Sequence, residues 1–309
     1  MIGPLFHPRR YPPSRTPRPP VWQRRLEAPL GAAVERVLAP FWRWDPAALR
    51  LPEVAVAVRG LPRAFAGYRI ALVTDLHHSR AVPGWWIREV AARAAALAPD
   101  LVVLGGDLVS HRRRELDGLA ELLAQFKARD GVVAVLGNHD HWVGAEAVAA
   151  AVKAAGGDLL ENRHRLIERG GGDGGSGGSG GRLALAGVGD FKHGAVRLDG
   201  ALGDVPADVP RVLVSHSPDL IEYLPAGLRV DVMLAGHTHN GQLHFPWFGP
   251  LTVPSQFGKR YLHGLKRVRG TWLYVSAGVG TSAVPFRWGN PPELPVIRLD
   301  GDQESMADG

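Results

Sequence analysis

Beyond residue 65 short apolar runs alternate with stretches whose apolar positions recur at helical spacing. Residues 70–74, 101–104 and 132–136 are runs of the first kind, which suits strands buried on both faces. Residues 84–97, 115–129 and 145–155 carry the helical spacing and predict helices between and after those strands. Such alternation argues for parallel strands joined by helical crossovers. The second half is richer in strand signals, at 166–168, 183–186, 212–214, 232–235, 272–275 and 296–299, and predicts a second sheet packed on the first. Residues 170–181 hold nine Gly, two Ser and Asp173, which predicts a flexible hairpin connection rather than a phosphate loop with its fixed glycine spacing.

The pattern before residue 66 is different. Residues 1–20 contain seven Pro and four Arg with no acid, the composition of an extended, solvated arm. From 21 to 44, Pro29 suits the first turn of a helix and Pro40 its end, with Leu30, Val34, Val37 and Leu38 on one stripe. Trp22, Phe41, Trp42 and Trp44 flank that stripe, among Arg24, Arg25, Arg36 and Arg43. A short apolar stripe edged by Trp and Arg suits an anionic membrane surface; the other reading packs the same stripe on the chain's own domain. The expected organisation is an extension over 1–65, a main domain over 66–300 and a tail over 301–309.

Charge sharpens this division. The chain of 309 residues carries a net charge of +6, yet residues 1–69 alone have twelve Arg against four acids. That surplus of eight leaves the remaining 240 residues net negative by two, so the basicity belongs to the extension and disfavours a nucleic-acid groove in the body. With 45% hydrophobic residues a substantial core is expected. The absence of cysteine excludes thiolate nucleophiles, disulfides and thiolate metal sites, so any metal must be held by His, Asp, Glu or Asn. No apolar run long enough to span a bilayer and no signal peptide is visible, which leads to an expected cytoplasmic location with peripheral attachment to the inner membrane through residues 21–44.

Five polar clusters follow apolar strands. They are Asp75/His77, Gly105/Gly106/Asp107, Gly137/Asn138/His139/Asp140, Ser215/His216 and Gly236/His237/Thr238/His239. In open α/β sheets the carboxyl ends of strands share one crevice, so residues distant in sequence can meet there. Any one cluster is ordinary turn chemistry; five of metal-ligand type in equivalent positions are not.

In this order the clusters resemble the calcineurin-like metallophosphoesterase family, whose pattern is D-x-H, GD, GNH(D/E), a lone His and GHxH. The resemblance covers residues 66–300. Pro254, Ser255 and residues 273–282 and 287–293 are similar to its bacterial YkuE/YaeI-type branch, which includes a UDP-2,3-diacylglucosamine hydrolase. The resemblance implies a four-layer α/β-β/α sandwich of two mixed sheets and a binuclear centre. Asp75, His77 and His239 would hold one divalent ion, Asn138, His216 and His237 the other, and Asp107 would bridge them. The O/N donors suit Mn, Fe, Zn or Co. The implied reaction is hydrolysis of a phosphodiester or pyrophosphate bond by a metal-bridging hydroxide. His139 would serve the leaving oxygen, with Asp140 orienting the ring. Ser110 stands where the family's protein phosphatases carry Asp, which argues against a phosphoprotein substrate.

His78 and His141 are expected beside the site rather than as ligands, and Trp85, Trp86 and Trp142 either line the cleft or join the core. A lipid-linked nucleotide such as UDP-2,3-diacylglucosamine is the leading substrate. The alternatives are a soluble cyclic-nucleotide phosphodiesterase or nuclease, and a non-catalytic scaffold at the membrane surface.

Overall fold

The computed structural model describes residues 44–170 and 181–302. One six-stranded sheet contains β1 (Glu53–Val58), β2 (Tyr68–Val73), β3 (Leu101–Leu104), β4 (Val132–Ala134), β5 (Asp158–Leu159) and β14 (Val296–Gly301), in the spatial order β1-β14-β2-β3-β4-β5. The other contains β6 (Arg163–Arg169), β7 (Gly181–Gly187), β8 (Arg211–Val214), β9 (Val232–Ala235), β12 (Gly264–Val268) and β13 (Thr271–Val275), ordered β12-β13-β9-β8-β7-β6. Both are mixed: β2 to β5 run parallel while β14 opposes β2, and β7, β8, β9 and β13 run parallel between antiparallel β6 and β12. A two-stranded ribbon, β10 (His244–Phe245) and β11 (Gly249–Pro250), stands outside both sheets.

The layers follow from strand alternation, since successive side chains point to opposite faces. Ile70 and Leu72 of β2, with Leu101 and Val103 of β3, meet Leu183, Leu185, Val212 and Val214 between the two sheets. Ala71, Val73, Val102 and Leu104 face the other way, onto α1 (Gly84–Ala96), α2 (Leu119–Leu123) and α4 (Ala145–Ala154). The outer face of the second sheet packs Ala184, Leu213, Met233 and Leu273 against α5 (Leu198–Leu202) and the turn carrying Leu220 and Ile221. The result is the expected four-layer sandwich.

Three expectations are corrected. The extension does not reach residue 65: β1 pairs in parallel with β14, Glu53 opposite Val296 through Val58 opposite Gly301, because its alternating valines complete the inter-sheet layer. The helix expected over 115–129 is broken by Gly118, whose φ of 73° leaves a 3-10 turn at Arg113–Leu116 and the five residues of α2. Trp44, grouped with the membrane-facing aromatics, is buried, stacks on Trp86 at 4.7 Å between ring centroids and donates its Nε1–H to the Ala81 carbonyl at 2.7 Å. The rest of the helix read over 21–44, and the glycine-rich connection at 171–180, lie outside the described residues; β6 and β7 on either side of that connection do pair antiparallel. Among the described residues no helix is long and apolar enough to cross a membrane.

Trp44 therefore gives a stability prediction. Trp44→Ala should lower the free energy of unfolding by about 3–5 kcal/mol, the range for emptying a buried indole site. Urea unfolding of the full chain reads this as a lower midpoint; an unchanged midpoint would show that residue 44 does not belong to the core.

Candidate metal centre

The polar clusters sit where the parallel strands end. Backbone bonds lock these ends together: Asp75 N–H donates to Gly106 O at 3.0 Å, His77 N–H to Asp107 O at 2.9 Å and Gly236 N–H to His216 O at 3.0 Å. His237 N–H donates to the Asp75 carboxylate at 3.1 Å, tying the second sheet to the first. Asp75, His77, Asp107, His237 and His239 all have φ between 48° and 70°. That left-handed region is uncommon for residues with a Cβ, and its concentration in one place marks strain held for function.

The neighbouring glycines are there because nothing larger fits. A Cβ on Gly137 would lie 2.2 Å from Asp107 Oδ1, and one on Gly236 would lie 2.5 Å from Asp75 Oδ2. The glycines of the GN and GH motifs are thus the clearance that lets carboxylates approach the next strand end.

The side chains converge in two groups joined by a third. Ligand atoms of Asp75, His77 and His239 lie within 4.8 Å of one another, as do those of Asp107, His216 and His237 and those of His77, Asp107 and His139, and every one of these residues is buried. Asp107 Oδ2 lies 3.2 Å from His216 Nε2 and 3.5 Å from His77 Nε2, so a single oxygen stands between the groups. Ring nitrogens also face each other: His77 Nε2 and His239 Nε2 are 3.1 Å apart, as are His237 Nδ1 and His216 Nε2.

Burial dominates the electrostatics. It pushes Asp75 up to about 6 against the pull of His216. Burial acts the same way on Asp107, but His216 and His139 outweigh it and hold that carboxyl well below the usual carboxylate range. Burial disfavours the charge of His216 too, yet Asp107 overrides it and lifts the ring to about 10. His77, His237 and His239 are driven well below their ordinary value, chiefly by burial, and are neutral. Neutral imidazoles beside a carboxylate are the donor set that divalent cations take, and His216 would give up its proton to join it. Asn138 Oδ1 fits the same purpose: it is buried without a hydrogen-bond partner, and a cation would satisfy it.

Around this cradle the structure corrects one role. Asp140 does not touch the His139 ring; it accepts from the N–H groups of Leu108, Val109 and Gly137, stapling the Asp107 turn to the start of α3 (Asn138–Val143). Adjacent helical residues point in different directions, so the pair cannot face each other. The His139 ring is oriented instead by the Ser110 carbonyl, 2.5 Å from Nδ1, which leaves Nε2 toward Ser282 Oγ at 3.5 Å.

Half-exposed Trp142 lies over His139 at 4.1 Å between centroids, whereas Trp86 is core and Trp85 is half-exposed on α1. His78 Nδ1 meets the Glu115 carbonyl at 2.7 Å, and His141 leaves a buried Nε2 unpaired.

The sequence reading passed over His111, Lys192, His193 and the guanidinium function of Arg287. His111 lies 4.7 Å from His139 between centroids, Trp142 Nε1–H donates to His193 Nε2 at 3.1 Å, and Lys192 Nζ is 2.9 Å from His237 Nε2. Lys192 and His193 follow β7, a sixth strand end that the same carboxyl-end rule would have included. Arg287 is buried and binds the carbonyls of Ala277, Gly278 and Gly280 behind His239.

Fold and site together define a metal-dependent phosphoester hydrolase. The chain belongs to the calcineurin-like phosphoesterase family, whose sequence model matches residues 68–241. It is 31% identical over 238 residues to the phosphodiesterase YaeI of Escherichia coli, covering 76% of this chain and 83% of that protein. It is 27% identical over 258 residues to the uncharacterised metallophosphoesterase YkuE of Bacillus subtilis, covering 82% and 87%. Among solved structures, a 5′-nucleotidase precursor from Thermus thermophilus aligns over 77% of this chain and 55% of its own, with a TM-score of 0.45 and 13% identity.

The glycine clearance is testable without turnover. Gly137→Ala should displace Asp107 and weaken retention of divalent metal by about 10–100-fold, the usual cost of disturbing a residue that positions a ligand. Metal content after dialysis, set beside an unchanged far-UV spectrum, checks it; wild-type metal retention would mean that the turn absorbs the methyl group.

Proposed function

We propose that this chain hydrolyses a phosphodiester or pyrophosphate bond at a two-cation centre. Asp75, His77 and His239 would hold one ion, Asn138, His216 and His237 the other, with Asp107 shared. The observation that carries this is the placement of Asp107 Oδ2 between His77 and His216. Two divalent cations there would supply Lewis acidity to phosphoryl oxygens and to water. Mn, Fe, Zn and Co all suit the O/N donors.

The chain's own residues supply the rest. The Ser110 carbonyl fixes His139 as the Nδ1–H tautomer, so the ring accepts a second proton at Nε2, and from there it can protonate a leaving oxygen. Ser110 Oγ is turned away to His111 Nδ1 at 2.7 Å, so the side-chain difference from protein phosphatases does not disturb this arrangement. The diester preference is supported by the likeness to YaeI, named a phosphodiesterase. Trp142, half-exposed beside His139, offers a nucleobase a stacking face, which supports a nucleotide-containing substrate such as the lipid-linked UDP-2,3-diacylglucosamine.

Mass spectrometry of products from UDP-2,3-diacylglucosamine, with an aryl diester alongside, tests the proposal. Release of UMP that disappears in Asp107→Asn supports it; cleavage of the aryl diester alone would remove the lipid-linked substrate and leave the chemistry. For His139→Asn, kcat on a poor alkoxide leaving group should fall by about 10²–10⁴-fold, with a much smaller loss on a nitrophenyl diester whose leaving group needs no proton. Equal losses on both would rule out His139 as the proton donor.

A further inference from the structure

The ribbon of β10 and β11 carries a surface that hydrolysis does not use. Trp247 is 98% exposed and Phe248 82%, with Leu251, Trp288 and Phe245 also exposed beside them. These side chains are joined in space, because Phe245 pairs with Gly249, Leu243 bridges to Trp288, and His244 N–H donates to the Trp288 carbonyl at 2.7 Å. Exposed aromatic area of this continuity marks a contact surface rather than scattered apolar residues.

The ribbon is built to present its tip. Trp247 has a φ of 67°, a conformation that bulky residues rarely adopt, and Pro246 and Pro250 restrict the backbone on either side. Its base is rooted in the metal centre's own loops: Gln242 donates to the carbonyls of Val284 and Phe286 and accepts from Ser282 N–H at 2.7 Å. Gln242 is three residues beyond His239, so a contact made by the ribbon is made at the mouth of the centre.

Charge identifies the partner. No Asp or Glu occurs between Asp231 and Glu293, while that stretch carries Lys259, Lys266 and Arg267; of its other cations, Arg260 and Arg269 pair with Glu222 and Arg287 is buried. Lys259 Nζ reaches the Phe248 carbonyl at 3.5 Å, placing an ammonium at the ribbon tip. A second copy of the chain would bring this ammonium no carboxylate from the same stretch, since residues 232–292 hold none. An anionic bilayer receives both parts, indole and phenyl rings at the headgroup level and the Lys259 ammonium at the lipid charge.

We propose that residues 243–251 and Trp288 insert into the surface of an anionic lipid bilayer and hold the mouth of the metal centre against it. The proposal does not rest on residues 21–44, and binding is measured without turnover, so failure of the substrate proposal leaves it standing.

The test is sedimentation of the full chain with phosphatidylglycerol-rich vesicles and with pure phosphatidylcholine vesicles. Trp247→Ala/Phe248→Ala should lower affinity for the anionic vesicles by about tenfold or more, the loss expected when two buried aromatics are removed. Lys259→Gln should lower it less, and only at low salt. Hydrolysis of a small soluble diester and the thermal midpoint should stay at wild-type values, since these side chains are exposed. Wild-type vesicle affinity in the double variant would overturn the proposal. So would a concentration-dependent dimer that the same variant abolishes, because the patch would then belong to a second copy.

Discussion

The constraint on which this structure depends is the Asp107 carboxylate, buried at the point where two imidazoles from different sheets approach one of its oxygens. A buried carboxylate is tolerated only when hydrogen bonds, counter-charge or metal surround it. Asp107 comes from the first sheet and His216 and His237 from the second, so the site exists only if the sheets hold a fixed register. The apolar layer between them sets that register, since the inward side chains of β2 and β3 share one buried cluster with those of β7 and β8. The bond from His237 N–H to Asp75 then fastens the ends that the layer has aligned.

Strain and stability are accordingly divided in space. Five ligand-type residues occupy left-handed backbone, each at a cost on the order of 1–3 kcal/mol for a residue with a Cβ and toward the low end for Asp and His. None of that strain lies in the strands, where no residue with a Cβ has a left-handed φ. The rigid sandwich over-determines the turns at its edge, which is the condition under which strained turns persist. Glycine at 106, 137 and 236 completes the arrangement by leaving space rather than by making contacts.

How much of this could be read in the sequence differs by feature. The buried strands at Leu101–Leu104 and Val232–Ala235 were legible because an uninterrupted apolar run has few other uses in a short segment. The ligand clusters were legible because polar residues of one chemical type recur after those runs. The strand β1 was not, since its alternating valines lie in an Arg- and Pro-rich segment and its partner β14 is more than two hundred residues away. The break at Gly118 was hidden by a helical apolar pattern whose residues do reach the core, Leu119 and Leu122 from α2 and Phe126 from the chain just beyond it. Asp140 was misread because adjacency in sequence was taken for adjacency of side chains. The ribbon's aromatics were visible as letters, but only the fold shows that they face solvent.

These differences separate what the fold must keep from what it is free to change. The ligand turns are held by backbone bonds, glycine clearances and cross-sheet contacts, so almost any substitution there disturbs several strand ends at once. His139, by contrast, is oriented by a main-chain carbonyl, which every residue at position 110 would provide. That is why Ser110 is compatible with an oriented His139 although the side chain used by protein phosphatases is missing. Trp142, His111 and Ser282 surround the same ring through side chains alone, with His193 bonded to Trp142, and replacing them would alter the mouth while leaving the ligand-type residues in place. Substrate choice in this chain is therefore expected to reside at the mouth, while the capacity for metal chemistry resides in the sheet ends.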